Sequence, residues 1–479
     1  MDKTLSKVQR KETNGACWTC LEKNQGCDGA LPRCTTCARR GVKCRGYGVV
    51  IQWPASVAGL RARARQRSRG ALPSQLSNPM PLPGAISSMG LPAEESFFMQ
   101  HFMQNISRIA LAIDYSDNGY RSLLPLAMQD TAVLSALVAV AASHYSRWQG
   151  SSDKTSRRYL RAAAQALRRR FSTPELVYSP ITLACMLLFV SYEVFSGSVR
   201  WKGHYDAICG WVRSRGDCSD LDPFLKTWVC MLDTQCSLNL GLPASPELES
   251  WLHMPAAEPA REESVDALFG CSSRMPRLMY AAARLYAASK SGQMTADEVR
   301  QRASALQTQI GSTEMSLDCQ PLVRMLCNGG AHPYVTTESL DHEEFRRRMV
   351  ATANIFRHCM HIYVYRIVHG PEEPLTAEIR ASLDAAKHLL TEVPDAVGPG
   401  ANLGWCLVVL GAEMDLVHDR DYIRSRWAGM HLLGIYNTKN GQRILDEVWA
   451  HRDLASQGLA VPERWQDTMQ RIGQQQILI

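Results

Sequence analysis

The stretch CWTCLEKNQGCDGALPRCTTCARRGVKC, residues 17–44, decides the architecture of the N-terminal end of this chain. Its six cysteines are Cys17, Cys20, Cys27, Cys34, Cys37 and Cys44. Each half has the spacing Cys-x2-Cys-x6-Cys, and a shift of seventeen residues maps the first half onto the second. Each Cys-x2-Cys pair is spaced to chelate one tetrahedral ion, and the third cysteine returns after a short helix. Because so short a segment cannot build a hydrophobic core, we expect its folding energy to come from metal.

Six thiolates give two zinc ions four ligands each only if two sulfurs are shared between the ions. Two Zn²⁺ ions and six thiolates carry a net charge of about −2, which cations in and beside the segment offset: Lys23, Arg33, Arg39, Arg40, Lys43 and Arg45. A closed cluster of this kind leaves no coordination position for water or substrate, so a zinc-dependent enzyme is not expected.

A disulfide framework is the alternative use of these cysteines. The first fourteen residues are polar and contain no apolar signal-peptide core. The longest apolar stretch, residues 181–190, falls short of the roughly 18 residues that a membrane span needs. We therefore expect an intracellular protein without a membrane partner, in which thiols stay reduced and clustered cysteines bind metal.

Positive charge is concentrated at the N-terminal end. Residues 1–70 contain fifteen Lys and Arg against four Asp and Glu, a net charge of +11, which leaves −4 for the rest of a chain whose total is +7. A basic head on a mildly acidic body is typical of a polyanion-binding end, since Lys and Arg release counterions from phosphates. A solvated basic tail would have the same composition. The cysteines within the head favour the first interpretation.

The chain divides into four predicted parts. Residues 1–16 are expected to be disordered, 17–44 to form the cysteine module, 45–95 to be a linker and 96–479 to form an all-helical domain. The linker is first basic, with RARARQRSR at 61–69, and then rich in Pro, Gly and Ser. The basic run is typical of a nuclear-import signal or a phosphate contact. Residues 57–64 lack a leucine heptad, so no coiled coil is predicted there.

Helical periodicity dominates after residue 95 and predicts an all-α fold class. Helix start signals include Asp130, Asp153 and the Ser179-Pro180 pair. The predicted helices are 95–114, 129–148, 152–171, 180–196, 202–215, 222–240, 275–290, 294–310, 341–368, 375–391, 402–415, 419–430 and 440–452. The ten cysteines of this part lack ligand spacing, and most of them are expected in the core, as are Trp211, Trp228 and Trp405. His358-Cys359-Met360-His361 is interpreted as part of a packed helix rather than a metal site.

The segment 17–44 resembles the fungal Zn₂Cys₆, or binuclear zinc cluster, transcription factors. The likeness extends to Asp28, Pro32, Gly41 and Gly46-Tyr47. Much of 97–455 is similar to the regulatory domain specific to these fungal proteins, in stretches that include 121–127, 141–144, 191–194, 201–210 and 445–449.

The resemblance implies a role for each cysteine and a mode of DNA binding. Cys17 and Cys34 would bridge the two zinc ions, Cys20 and Cys27 would complete one site, and Cys37 and Cys44 the other. The helix after the first Cys-x2-Cys would enter the major groove, often over a CGG-like triplet, and dimer spacing would set the separation of half-sites. It also implies a nuclear regulator of a filamentous fungus that works with double-stranded DNA, co-regulators or the transcription machinery, and a homodimer is possible.

The segment between Cys20 and Cys27 departs from the family pattern. It holds one cation, Lys23, and one acid, Glu22, where the family carries several Arg and Lys. Lys23 stands at a usual base-reading position, and Asn24 has an amide that donates to base edges. The expected DNA-contacting residues are Lys23, Asn24, Arg33, Arg39, Arg40, Lys43 and Arg45. A transcriptional cofactor or repressor that acts through the helical body without reading DNA is the alternative function.

Overall fold

A computed structural model describes residues 17, 19–20, 23–30, 34–42, 44, 90–114, 118–242, 245–249, 251–252, 264–318, 322–324 and 342–478. The chain separates into two compact units, residues 1–65 and 66–479. In the described part of the first unit, Thr19 and Cys20 are helical and one short helix, α1 (Thr35–Arg39), follows. The predicted disorder of 1–16, the basic run 61–69 and the segment 57–64 lie outside the described residues.

The second unit is built almost entirely of helices, which confirms the predicted all-α class. The helices are α2 (Ala93–His101), α3 (Ser107–Ile109), α4 (Gly119–Gln129), α5 (Thr131–Trp148), α6 (Lys154–Phe171), α7 (Pro174–Val177), α8 (Pro180–Ser196), α9 (Trp201–Arg215), α10 (Pro223–Leu240), α11 (Pro246–Glu249), α12 (Met275–Lys290), α13 (Ala296–Gly311), α14 (His342–Val368), α15 (Ala377–Leu390), α16 (Gly404–Gly411), α17 (Val417–His431), α18 (Asn437–Ser456) and α19 (Trp465–Arg471). A π-helical turn (Phe102–Ile106) joins α2 to α3, and a 3₁₀ turn (Pro399–Asn402) precedes α16. Among the described helices, none combines the length and hydropathy needed to cross a bilayer.

Two of the three predicted helix starts are capped as expected. The Asp130 carboxylate accepts hydrogen bonds from the backbone N–H groups of the first turn of α5, and the Ser179 hydroxyl accepts one from Ile181 N–H in α8. Asp153 precedes α6 but makes no such bond. Its carboxylate accepts from the Ser156 hydroxyl and lies 3.5 Å from the Arg157 guanidinium. The Asp153 carboxylate therefore contacts the side chains of Ser156 and Arg157 in place of the backbone N–H groups that an N-cap residue usually binds.

The first helical region differs from its prediction. A continuous helix over 95–114 was expected, whereas α2 begins at Ala93 within the predicted linker and the helical region ends at Ile109 after the π-helical turn. The helix α4 was not predicted, and its interior Pro125 is the reason, since proline removes one backbone donor. The Asn118 side chain, which accepts from Arg121 N–H, caps its start.

The short helices α7, α11 and α19 were not predicted either, and neither was a short parallel strand pair. Strand β1 (Ser264–Asp266) pairs with β2 (Leu322–Arg324). Three-residue strands are too short to show an alternating pattern. Burial raises the pKa of Asp266 to about 7, although its carboxylate accepts from the N–H groups of Leu268 and Phe269.

The core of the second unit is aromatic and aliphatic. Trp201, Trp228, Trp405 and Trp449 are almost fully buried. The expected core cysteines that are described are buried as well. Within the His358–His361 segment, Cys359 Sγ lies 3.8 Å from the Cys406 carbonyl oxygen, and His361 Nδ1 contacts Gln307 Oε1. Those contacts are ordinary packing between helices.

Candidate metal centre

The structure brings all six predicted cysteine ligands together in the first unit. Two sets of four sulfurs each lie within 4.8 Å of one another: one set is Cys17, Cys20, Cys27 and Cys34, and the other is Cys17, Cys34, Cys37 and Cys44. Both sets contain Cys17 and Cys34. Six sulfurs therefore form two groups of four by sharing two, as a pair of four-coordinate ions requires.

The sulfur spacing fits zinc. Cys17 Sγ lies 3.6 Å from Cys34 Sγ and 3.7 Å from Cys37 Sγ, and Cys20 Sγ lies 3.7 Å from Cys34 Sγ. A regular tetrahedron with Zn–S bonds of about 2.3 Å has S···S edges of about 3.8 Å. These three pairs of sulfurs already lie close to that separation, whereas a disulfide needs about 2.05 Å between sulfurs.

The two halves of the module repeat in three dimensions as they do in the sequence. Cys20 N–H points at Cys17 Sγ at 3.4 Å, and Cys37 N–H points at Cys34 Sγ at 3.2 Å. Gln25 N–H donates to the Cys20 carbonyl at 2.8 Å, and Val42 N–H donates to the Cys37 carbonyl at 3.1 Å. These contacts recur after the same seventeen residues. The N–H groups aimed at the two shared sulfurs stabilise negative charge on them.

Burial sets the protonation chemistry of the sulfurs. Cys17, Cys20, Cys34 and Cys37 are at most 2% exposed. Burial raises the pKa of Cys34 to about 12 and raises the pKa of Cys17 and Cys20 as well. Thiols in such surroundings keep their protons unless a cation stabilises the thiolates. Zinc binding at this centre is therefore expected to release protons, and metal affinity to fall at low pH.

Asp28 ties the two halves together. Its carboxylate accepts from the Thr35 hydroxyl at 2.6 Å and from the Thr35 backbone N–H at 3.1 Å, at the first residue of α1. The Thr35 hydroxyl is the main reason that the pKa of Asp28 is lowered, with the Thr35 backbone N–H adding to the effect. Thr36 also donates its hydroxyl proton to the Gly26 carbonyl at 3.2 Å. Asp28, one of the residues that carry the family resemblance, therefore holds the start of α1 against the first half of the module.

Four of the seven expected DNA-contacting residues are described, and all four are exposed: Lys23, Asn24, Arg39 and Arg40. Arg40 donates to Gln25 Oε1, so its guanidinium is already engaged within the module. Arg33, Lys43 and Arg45 lie outside the described residues.

Asn24 has a structural role that the sequence interpretation missed. Its φ of 50° is left-handed, and among the described non-glycine residues no other has a positive φ. Asn24 comes after the first helical turn of the module. Gly41, with φ 63°, comes after α1 in the same way. Asparagine and glycine are the residues that end helices in this conformation. The seventeen-residue shift that pairs the cysteines also pairs Asn24 with Gly41, and it could have shown this role.

Comparison with known families agrees with this architecture. The family described as "Fungal specific transcription factor domain" matches residues 96–479, and the "Fungal Zn(2)-Cys(6) binuclear cluster domain" matches residues 15–54. The chain belongs to the fungal transcription factors that carry these two domains, and the predicted resemblance is confirmed. Both families are transcription factor domains rather than enzyme families.

Curated relatives match this chain over short stretches. The acriflavine sensitivity control protein acr-2 of Neurospora crassa is 40% identical over 47 residues, which are 10% of this chain and 8% of that protein. Transcription factor phomR of Diaporthe leptostromiformis is 39% identical over 56 residues, 12% and 9% of the two chains. Pestheic acid cluster transcriptional regulator 3 of Pestalotiopsis fici is 42% identical over 41 residues, 9% and 7% of the two chains. The match spans less than a tenth of each relative, and no solved structure matches the chain.

Family and geometry together establish the cofactor and the family of the chain. The N-terminal domain is one that binds two zinc ions, and the chain belongs to a family of fungal transcription factors. The predicted cofactor, two Zn²⁺ per chain, is confirmed at this level.

Proposed function

We propose that this chain is a zinc-dependent, sequence-specific regulator of RNA polymerase II genes that acts in the nucleus. The observation that carries the proposal is the pair of four-sulfur sets that share Cys17 and Cys34. Among the described residues of the module, the core consists of four buried cysteines, with Cys27, Val42 and Cys44 packed against them. The shape of the module, and with it any DNA-contacting surface, therefore depends on the ions.

The six cysteines are the proposed ligands, each with a defined place. Cys17 and Cys34 would be held in common by the two ions, because each belongs to both sets. Cys20 and Cys27 would complete one site, and Cys37 and Cys44 the other. The zinc ions supply structural cross-links and a fixed charge, while the protein supplies the contacts to DNA.

The proposed DNA-reading residue is Lys23. Its exposed side chain follows the first helical turn, and a lysine ammonium donates to guanine O6 and N7 in the major groove. Arg39, at the exposed end of α1, is a proposed phosphate contact. Arg40 is proposed to contact phosphate as well, although DNA would compete with Gln25 for it. Arg33, Lys43 and Arg45 remain proposed DNA-contacting residues, as predicted from the sequence.

The favoured target is a CGG-like half-site, with homodimers reading two of them. Control of a fungal secondary-metabolite biosynthetic gene cluster, which the family resemblance of the sequence implies, is a further proposal, and the name of one relative, a pestheic acid cluster regulator, supports it. The less favoured alternative is a cofactor that does not read bases. Its support is the single cation between Cys20 and Cys27, together with the structural use of Asn24.

A binding experiment on the zinc-loaded full chain separates the two functions. Affinities are measured for a duplex with paired CGG triplets and for a scrambled duplex, each over a range of salt concentrations. The proposal predicts a preference of roughly 10³-fold or more for CGG, the lower end for specific regulators. Lys23→Ala is expected to lower the preference at least ten-fold, whereas Lys202→Ala, in α9 of the second unit, leaves it unchanged. Equal affinity for both duplexes would support the cofactor function.

A further inference from the structure

The helix α6 carries the most one-sided charge pattern among the described helices. It has eighteen residues, KTSRRYLRAAAQALRRRF, with seven cations and no acid. Six of the cations lie on its outer face; we call them the basic stripe: Lys154, Arg157, Arg158, Arg161, Arg168 and Arg169. The stripe stands out because the chain from residue 71 onward has a net charge of −4.

Helix geometry places the stripe opposite the buried face. At 100° per residue the six cations fall within an arc of about 120°. The buried positions, among them Leu160, Ala163 and Leu167, fall on the other side, against the core. Arg170, the seventh cation, is on that inner side, where it pairs with Asp130 and donates to Thr182 Oγ1 at 2.8 Å. The stripe is therefore a separate surface feature about 23 Å long.

Most of the stripe lacks an acidic partner. Arg157 lies 3.5 Å from Asp153, and Arg158 pairs with Glu94. Within the part of the chain that the structure describes, Lys154, Arg161, Arg168 and Arg169 have no ion pair with a carboxylate. Like charges gathered on one face repel each other, so a polyanion that covers the face is stabilised there.

We propose that the basic stripe of α6 contacts the DNA phosphate backbone beside the site that the zinc module reads. Five of its six cations are Arg, which binds phosphate oxygens bidentately. Within the arc, the one residue between the cations is Gln165, and Ala162 lies just beyond its edge. A protein partner needs a large apolar anchor at the centre of its contact, and the stripe offers none, whereas phosphate contact needs only cations.

The chain is long enough for both parts to reach one duplex. Forty-five residues, 45–89, separate Cys44 from Gly90, and covalent geometry allows that segment to span at most about 150 Å. The contact would also add phosphate-binding cations to those of the zinc module, which has a single cation between Cys20 and Cys27. This inference rests on the proposed function only in that the chain acts on DNA; it does not depend on which bases are read.

The test uses the full zinc-loaded chain and the triple variant Lys154→Gln, Arg161→Gln, Arg169→Gln. All three residues are exposed, and glutamine is a good helix former, so α6 is expected to stay folded. The matched control is Arg277→Gln, Arg302→Gln, Arg380→Gln, which removes the same charge from exposed positions of three other helices. Thermal unfolding of all three proteins checks that the fold is intact.

Affinity for a scrambled 30-base-pair duplex is measured from 50 to 300 mM salt. Each lost phosphate contact lowers the slope of log affinity against log salt by about 0.9, and weakens binding roughly five-fold at 150 mM. The triple variant is expected to lose between one and three units of slope, while the control matches the parent. On a CGG duplex, the ratio of specific to scrambled affinity is expected to persist.

Two results overturn the proposal: an unchanged slope in the triple variant, or no DNA binding by the parent chain at low salt. Polyglutamate serves as a second probe, and loss of its binding together with an unchanged DNA slope would assign the stripe to an acidic protein partner instead. A parent chain that binds DNA without CGG preference would contradict the proposed function alone. The slope comparison on scrambled DNA would still decide the role of the stripe.

Discussion

Asn24 and Gly41 occupy equivalent positions in the two halves of the zinc module, and both have left-handed backbones, with φ of 50° and 63°. Each follows a helical turn that starts at a Cys-x2-Cys pair. Asn24 therefore has a backbone role, because the left-handed conformation at this residue ends the helical turn. A left-handed backbone costs other L-residues about 1–2 kcal/mol.

Replacing Asn24 separates its backbone role from base reading. Asn24→Gly is expected to keep zinc affinity and CGG preference, because glycine adopts the left-handed backbone freely. Asn24→Val is expected to weaken zinc binding about ten-fold, in a competition titration against a chromogenic chelator. Gly41→Val should show a similar loss at the equivalent position. A large fall in CGG preference for Asn24→Gly, with zinc affinity intact, would show that Asn24 reads bases.

The sharing of sulfurs predicts how zinc content responds to mutation. Cys34→Ala removes a member of both four-sulfur sets, so zinc per chain is expected to fall from two to near zero. Cys44→Ala removes a member of one set only, and up to one zinc is expected to remain. Elemental analysis of the purified full chain gives both numbers.

Cys209→Ala is the matched control, because this cysteine is buried in α9 of the second unit, outside both sets. It is expected to retain two zinc ions. Retention of a full zinc ion by Cys34→Ala would rule out the shared position of that sulfur.

The start of α4 depends on the absence of a side chain at residue 119. A Cβ at Gly119 would lie 1.8 Å from the ring of Phe224 in α10. Gly119→Ala is therefore expected to destabilise the second unit by about 1–3 kcal/mol, the usual range for overpacking. Gly203 in α9 is exposed, with open space around its Cβ position. Gly203→Ala is expected to stabilise by about 0.5–1 kcal/mol. Urea unfolding measures both, and equal effects would contradict this account of the packing.

A buried pair of histidines has its protonation state fixed by its partners. His144 Nε2 lies 2.8 Å from the Leu433 carbonyl, which only accepts, so this nitrogen carries the proton. His144 Nδ1 then accepts from His101 Nε2 at 2.8 Å, and His101 Nδ1 accepts from the Asn105 amide at 3.2 Å. Burial, with the nearby His144, lowers the pKa of His101 to about 3, and burial also lowers the pKa of His144.

The second unit is therefore expected to lose stability as the pH falls below about 6.5. Because the folded pKa of His101 is below the unfolded value, protons favour the unfolded state, and the loss continues down to about pH 3. Between pH 6.5 and 5 the His101 share is about 2 kcal/mol. His101→Gln, which keeps a donor toward His144, is expected to reduce this dependence in urea unfolding at pH 7 and 5. His388→Gln, at an exposed position, should leave it unchanged, and an unaltered dependence in His101→Gln would refute the assignment.

Local signals in the sequence predicted most helices and all six proposed ligands. Asp130 and Ser179 predict helix starts because their side chains accept hydrogen bonds from the backbone of the next few residues. The cysteine ligands can be predicted from their spacing alone, without the rest of the fold. Contacts between distant residues gave no such signal. His101 and His144 meet across 43 positions, and the strand pair β1–β2 is too short to leave a pattern.

The central claim, zinc-dependent reading of specific DNA, is tested most directly by one measurement on the full chain. The ratio of affinities for CGG-containing and scrambled duplexes is determined for the zinc-loaded protein, after zinc removal by a chelator, and after two equivalents of zinc are restored. We predict a high ratio for the zinc-loaded protein. After zinc removal the ratio is expected to fall to about one, while the helical circular dichroism signal of the second unit persists. Restoring zinc is expected to return the ratio to its original value. A ratio that stays high without zinc, or that is one with zinc bound, would contradict the account.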